Sequence, residues 1–392
     1  MSVTSRAART EAGFVPPVYP FDKLTELSEL AAVHEGGVVD LSVGTPCDPP
    51  PAAVVEALAH SGTERGYPTS LGSLELREAA AGWMERRLGV NISPAAIAAC
   101  IGTKELVAGV PHWLRLRHPQ RDTVLYPSLA YPTYEMGAVL AGCRAVTVPA
   151  TADGRMDVSA IDGEDAERAL CLWVNSPGNP GGQLEDLSAV AAWGQAHDVP
   201  VFSDECYAEF TWASPRRTIL QHGDSGLIAV HSLSKRSNLA GLRVGVIAGD
   251  PDIVGYLAAV RRHAGFMVPG PVQHAAAVAF SDDIHVDDQR AVYLERLQRF
   301  AAWLAEAGIP VELPGGSFYL WVPVPPALHA EPASSPAFAL GRYLAKAAGV
   351  LGSPGDAYGP AGTSHLRLAM VQPMARLQLA AERLLRAPAA WL

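Results

Sequence analysis

The chain has 392 residues, more than a single hydrophobic core usually serves, so two structural units are expected. Hydrophobic residues make up 49% and charged residues 18%, the balance of a compact globule, and 30 basic against 40 acidic side chains leave a formal charge of -10. Nucleic acid or an anionic membrane would demand a basic face, so neither is expected as a main partner, and small molecules are.

In chain order, the first 40 or so residues, with PPVYPF among them, are too few for a domain and read as an arm plus part of a smaller unit. GTKELVAGV (102–110) leads from a glycine straight into a helical pattern, which suits a phosphate at a helix N-terminus but is weak evidence alone. TVLYP (123–127) is strand-like and opens into the aromatic cluster YPSLAYPTY. A second apolar run, ALCLWV (169–174), ends in NSPGNPGG (175–182), a tight turn in which Asn179-Pro180 is a candidate cis bond. DLSAVAAWGQAHD (186–198) puts Leu187, Val190, Ala191 and Trp193 mostly on one helical face. VPVFSDE (199–205), LIAVHSL (227–233) and RVGVIAG (243–249) complete the strand-like runs. Strands alternating with helices imply an α/β fold with a mainly parallel, buried sheet, in which ligands gather at the carboxyl ends of the strands.

The last third changes character. A helical pattern over 287–308 precedes GGSFYLWVPV and a Pro/Ala/Ser-rich surface loop over 323–338, so a smaller unit follows. The expected division is an arm over 1–45, a large domain over 46–280 and a small one over 281–392. No run reaches the roughly 18 apolar residues of a membrane span, and MSVTSRAARTEAG has no apolar segment behind its basic residues, so a cytoplasmic protein is expected. Cys47, Cys100, Cys143, Cys171 and Cys206 are scattered, odd in number and without a CxxC pair; they read as small buried apolar residues rather than a disulfide framework or a zinc site.

Only four of the 30 basic residues are lysines, at 23, 104, 235 and 346. An amine can lose its proton and attack a carbonyl, whereas a guanidinium stays protonated, so a lysine retained among arginines is a candidate nucleophile. Lys235 stands out, because Ser232, Ser234 and Arg243 around it offer hydroxyls and a forked donor to a phosphate; a solvated basic turn would look the same. Asp204 ends an apolar run and is as easily a turn cap as the partner of a buried cation. Neither GxGxxG nor GxxxxGK[ST] is present, so a phosphate bound here is held by other devices.

Together and in this order, the glycine-to-helix site, the aromatic cluster, the Asn-Pro turn, Asp204 with Tyr207, and Ser-Leu-Ser-Lys with Arg243 resemble the fold type I pyridoxal-phosphate aminotransferases of class I/II. The resemblance runs from LSVGTP at 41 to HLRLAM at 365. It implies an aspartate aminotransferase-like fold, with a mainly parallel central sheet in a large cofactor-binding domain and a smaller α+β domain. Lys235 would form the Schiff base with pyridoxal 5'-phosphate and shuttle the substrate proton, and Asp204 would pair with the pyridine N–H. Asn179 and Tyr207 would donate to the cofactor's 3'-oxygen, and Tyr131 would stack on its ring. The N–H groups of Thr103 and Lys104, with Ser232, Ser234 and Arg243, would hold the phosphate. Tyr67 would reach the phosphate of the neighbouring subunit, which requires a homodimer. Arg367 would grip the substrate α-carboxylate, with Gly44 beside it leaving room. No metal is implied. One departure is Gly181, where the family usually has threonine.

At finer grain, LWVNSPGNP, SDECYAEFTW, HSLSKRSNLAG and RRHAGFMVPGPVQ are similar to actinobacterial N-succinyldiaminopimelate aminotransferases of lysine biosynthesis. That implies a ping-pong exchange between glutamate and N-succinyl-2-amino-6-oxopimelate, with Lys104, Arg236, Tyr19, Phe21 and Phe266 as candidates for the distal substrate end. An aminotransferase of another acceptor, of aspartate or prephenate type, or a β-lyase on the same scaffold are the alternatives.

Overall fold

The structure is a computed structural model that describes residues 14–330 and 335–387. Residues 1–13 of the expected arm and 331–334 of the expected loop lie outside the described residues. The strands are β1 (Val39–Asp40), β2 (Ile97–Cys100), β3 (Thr123–Pro127), β4 (Arg144–Val148), β5 (Ala169–Asn175), β6 (Val201–Asp204), β7 (Leu227–Ser232), β8 (Gly245–Gly249), β9 (Tyr319–Pro323), β10 (Val350–Leu351), β11 (Ser353–Pro354) and β12 (His365–Ala369). Seven of them form one sheet in the order β2-β8-β7-β6-β5-β3-β4. β8 runs antiparallel to β7 and β2, and the other pairs are parallel, as the alternation of runs predicts.

The expected runs at β3, β5, β6, β7 and β8 are all strands. β2 and β4 carry weaker sequence signals. IAAC is only four residues of mostly small side chains, and RAVTV lies at the sheet edge with Arg144 and Thr147 exposed. Side chains alternate faces along a strand, and helices cover both faces, so the central strands are buried along nearly their whole length, with polar side chains gathered at their carboxyl ends. Leu172, Val174, Val201, Ala229 and Val246 join one core. Cys171, Trp173, Phe202, Ile228, Val230 and Ile247 join the other.

Local chemistry sets the helix ends. The Asp186 side chain accepts from the Ala189 N–H at 3.1 Å to open the helix Leu187–His197, which stops at Asp198 in the left-handed region. The helix Thr103–Arg117 contains Pro111, which has no N–H for the Val107 carbonyl. The helix Thr133–Leu140 crosses there at Gly137, where a Cβ would lie 2.7 Å from that oxygen. A side chain at 137 would drive these helices apart.

The C-terminal part has its own layer. β9, β11 and β12 form an antiparallel sheet in the order β11-β12-β9. The expected helix over 287–308 runs Ile284–Glu306 and packs Leu297, Phe300 and Leu304 with Leu320, Val322, Leu340, Leu366, Leu368 and Leu377. β1 pairs in parallel with β10, Val39 opposite Val350, so the segment before the large sheet is anchored on the C-terminal part. Arg296 then grips Asp48 with both terminal nitrogens at 2.6 Å, fixing the connecting stretch that carries Gly44.

Candidate active site

The parallel register brings Asn175 at the end of β5 opposite Asp204 at the end of β6, and β7 ends alongside at Ser232. A cavity of about 530 Å³ opens there. It is lined by Gly44, Thr103, Lys104, Tyr131, Asn179, Asp204, Tyr207, Ser232, Ser234, Lys235, Arg243 and Arg367, residues drawn from stretches up to 323 positions apart in sequence.

Lys235 sits in the short helix Leu233–Arg236 that follows β7. Its Nζ donates to the Gly44 carbonyl. Burial, then the nearby Arg367 and Arg243, bring its pKa down from 10.5 to about 8, against an opposing effect of Cys206. A substantial neutral fraction is therefore present near physiological pH, as a nucleophile needs. Asp204 accepts from the Tyr134 hydroxyl at 2.9 Å and from the Cys206 N–H at 3.2 Å. Burial pushes its pKa up, and these two hydrogen bonds only partly offset that. No cation contacts it among the described residues, so the carboxylate is suited to a ligand bearing a protonated ring nitrogen. Asn175 ties the turn to this floor: its Nδ2 donates to the Asp204 carbonyl at 2.8 Å while its Oδ1 accepts from the Asn179 N–H at 2.7 Å. Both Ser176-Pro177 and Asn179-Pro180 are cis.

The other side of the floor is built for an anion. Gly102 caps the helix Thr103–Arg117 with no side-chain acceptor, leaving the first N–H groups free. Gly102 has φ +70°, and a Cβ there would lie 2.2 Å from an Arg243 terminal nitrogen, so glycine is required both by the backbone and by the packed guanidinium. With the Ser232 and Ser234 hydroxyls, these donors fit a phosphate ester. An anion cradle, a buried carboxylate awaiting a cation and an amine of lowered pKa together fit the pyridoxal phosphate that the resemblance implies.

At the opposite end Arg367, on β12, is buried. Its Nη1 donates to Asn179 Oδ1 at 2.8 Å and its Nη2 to the Ser42 carbonyl. Its Nε has no hydrogen-bond partner among the described residues. The Tyr319 and Tyr358 rings lie 4.2 and 5.0 Å from the guanidinium carbon. At the mouth, Lys104 Nζ donates to the Tyr19 hydroxyl at 2.9 Å and lies 4.6 Å from that ring's centre.

Several expectations need correction. Arg236 does not reach the cavity: one residue after Lys235, about 100° around the helix, it is buried the other way, donating to the Ala279 carbonyl at 2.6 Å between Trp83 and Phe280. Phe266 packs edge-on against Trp113 outside the cavity. Tyr67 is not among these: it is fully exposed and outside the cavity of its own chain, and its expected contact is with a neighbouring subunit. The Phe21 side chain lies outside what the structure describes. Of the cysteines, Cys100 and Cys171 are buried as expected, but Cys47 is exposed and Cys206 lines the cavity. Tyr134, Tyr319, Asn175 and Cys206 also line the cavity, and the sequence does not mark them as site residues. Tyr134 was legible only as part of the aromatic cluster, and Tyr319 as one of several aromatics in a strand. Among the described residues there is no acidic, His or Cys cluster able to hold a metal ion, and no helix is long and apolar enough to cross a membrane.

Comparison with known proteins agrees with this geometry. The family described as aminotransferase class I and II matches residues 36–384. The probable aminotransferase Rv1178 of Mycobacterium tuberculosis is 41% identical over 94% of this chain and 85% of its own length. The 4-dedimethylamino-4-oxo-anhydrotetracycline transaminase OxyQ of Streptomyces rimosus is 39% identical over 94% and 99%. The LL-diaminopimelate aminotransferase of Aquifex aeolicus is 33% identical over 94% and 96%. Among solved structures, substrate-bound BacF from Bacillus subtilis superposes with a TM-score of 0.85 at 26% identity, covering 98% of each chain. A probable N-succinyldiaminopimelate aminotransferase from Thermus thermophilus does so at 0.82 and 29%, covering 93% of this chain and 98% of that one.

Proposed function

The chain belongs to the class I and II aminotransferases, and from that premise we propose a pyridoxal-phosphate-dependent exchange of an amino group between glutamate and a tricarboxylic oxo acid, the succinylated 2-amino-6-oxopimelate. Pyridoxal phosphate, when bound, supplies the carbonyl that takes up the amino group and the electron sink for the charge left on Cα. The chain's residues do the rest. Lys235 anchors the cofactor and, once displaced by substrate, its neutral Nζ takes the proton from Cα. Asp204 keeps the pyridine nitrogen protonated, held in place by Tyr134 and the Cys206 N–H. Tyr207 and Asn179 donate to the 3'-oxygen, and Tyr131 covers the ring. The Thr103 and Lys104 N–H groups, Ser232, Ser234 and Arg243 hold the phosphate. Arg367 turns its fork on the substrate α-carboxylate, a planar pairing lysine cannot make. Tyr67, exposed here, serves the site of a second copy in a cytoplasmic homodimer, and the chain divides near 45 and 280.

The observation that carries the substrate class is Lys104. With Lys235, Arg243 and Arg367 each engaged, its ammonium is the cation left at the mouth, and no carboxylate pairs with it among the described residues. It suits an acidic distal end. The succinylated substrate offers two carboxylates there, whereas LL-diaminopimelate offers a zwitterion. The second reading, LL-diaminopimelate itself, is favoured by the Aquifex relative, an LL-diaminopimelate aminotransferase. Loaded protein should convert to the pyridoxamine form with glutamate, releasing 2-oxoglutarate. N-succinyl-LL-diaminopimelate and LL-diaminopimelate then compete as amino donors to 2-oxoglutarate, and a higher kcat/KM for the unsuccinylated compound hands the assignment to the second reading. Oxaloacetate and prephenate are assayed as amino acceptors with glutamate as the donor. Pyruvate and ammonia from a cysteine-like substrate, without that conversion, would indicate a β-lyase.

A further inference from the structure

Gly44 was expected to leave room for substrate. In the structure its neighbour is a side chain: a Cβ on Gly44 would lie 2.1 Å from the Tyr319 hydroxyl oxygen. Tyr319 opens β9, is 1% exposed, and shares a 2.8 Å hydrogen bond with the Tyr207 hydroxyl. Its ring lies 4.2 Å from the Arg367 guanidinium carbon. The Gly44 carbonyl, in turn, accepts from Lys235 Nζ. One phenol thus touches the support of the nucleophile, a cofactor-facing hydroxyl and the carboxylate-binding arginine.

The two phenols have one proton each. Among the described residues the Tyr319 hydroxyl has no hydrogen-bond partner other than Tyr207, and the cation against its ring makes Tyr319 the better donor of the pair. If Tyr319 donates, the Tyr207 proton is free to point into the cavity that Tyr207 lines; if Tyr207 donated, it would have none to offer. We propose that Tyr319 is a positioning residue that aims the Tyr207 proton at the cofactor's 3'-oxygen while its ring holds Arg367 flat for the substrate carboxylate and its hydroxyl seats Gly44. The proposal rests on the cavity being a pyridoxal-phosphate site with Tyr207 facing that oxygen.

The hydroxyl and the ring are separable. A hydrogen bond donated to the 3'-oxygen favours the form in which that oxygen carries more negative charge, so a poorly aimed Tyr207 raises the pH midpoint of the cofactor's absorbance band. Tyr319→Phe should raise that midpoint by about one pH unit and leave KM for glutamate within about twofold. Tyr319→Leu, which also removes the ring, should in addition raise KM by about tenfold. Gly44→Ala should lower Tm by about 2–4 °C, and the added methyl should cost less in a Tyr319→Phe background, where the oxygen it strikes is gone. An unchanged midpoint in Tyr319→Phe overturns the aiming role, an unchanged KM in Tyr319→Leu the arginine role, and equal damage from Gly44→Ala in both backgrounds the seating role. Tm is measured with and without pyridoxal phosphate. A protein that takes up no cofactor fails the functional reading, while the Gly44/Tyr319 cycle still decides the contact.

Discussion

The two ends of the cavity are built differently. The end proposed to take the cofactor is assembled from short contiguous motifs at the carboxyl ends of β5, β6 and β7 and at one helix N-terminus, each positioned by its own strand or cap. The end proposed to take the substrate carboxylate has no such local unit. Arg367 comes from β12, Tyr319 from β9, Asn179 from the turn after β5, and Ser42 and Gly44 from a stretch anchored by β1 and Arg296. A substitution at the cofactor end therefore removes one group from a rigid floor, whereas one at the carboxylate end loosens several partners at once.

The largest expected effect tests the floor. Lys235→Ala should still take up pyridoxal phosphate without forming a borohydride-reducible adduct, and transamination should fall by at least about 10³-fold. Turnover near that of the unaltered protein would remove Lys235 from its role. Next, Arg367→Ala should raise KM by about 100-fold for every amino acid, since all carry the α-carboxylate, and should free Asn179 and Tyr319 from their partner. An increase confined to one substrate would mean the arginine binds something else.

The pH dependence separates the two ends again. Because burial and Arg367 hold the Lys235 pKa near about 8, the rate at which cofactor-free protein captures pyridoxal phosphate should rise with pH and level off above about 8. A lysine left at its ordinary 10.5 would still be climbing. For stability the sign follows from proton binding: between about 8 and 10.5 the unfolded amine holds a proton that the folded one has released, so the cost of burying Lys235 is fully present below 8 and fades as pH rises to 10.5. Arg367→Leu, which removes the first neighbouring cation, should move the plateau to higher pH. The smallest effect is at the mouth. Lys104→Ala should weaken substrates with an acidic distal end by about tenfold and spare those with an apolar one, as steady-state kcat/KM ratios would report.

The floor of the cavity was legible because its signals are local. The apolar run to Asp204, the Asn-Pro turn after β5 and the hydroxyls beside Lys235 each combine a structural signal with a reactive group within a few residues. Tyr134, three residues after Tyr131, reads as packing until the helix after β3 brings its hydroxyl to Asp204 at the end of β6. Arg236, expected at the distal substrate end, is turned away from Lys235 by one helical position and enters the core.

The sequence by itself determined the α/β class, the strands that carry Asn175, Asp204 and Ser232, and the lysine that stands among them, because periodicity and turn chemistry act over a few residues. Only the tertiary structure decided what surrounds Arg367, what a side chain on Gly44 would strike and that the Tyr207 hydroxyl meets Tyr319. Those depend on contacts between residues up to 325 positions apart, set by how β1, β9 and β12 pack rather than by any local preference.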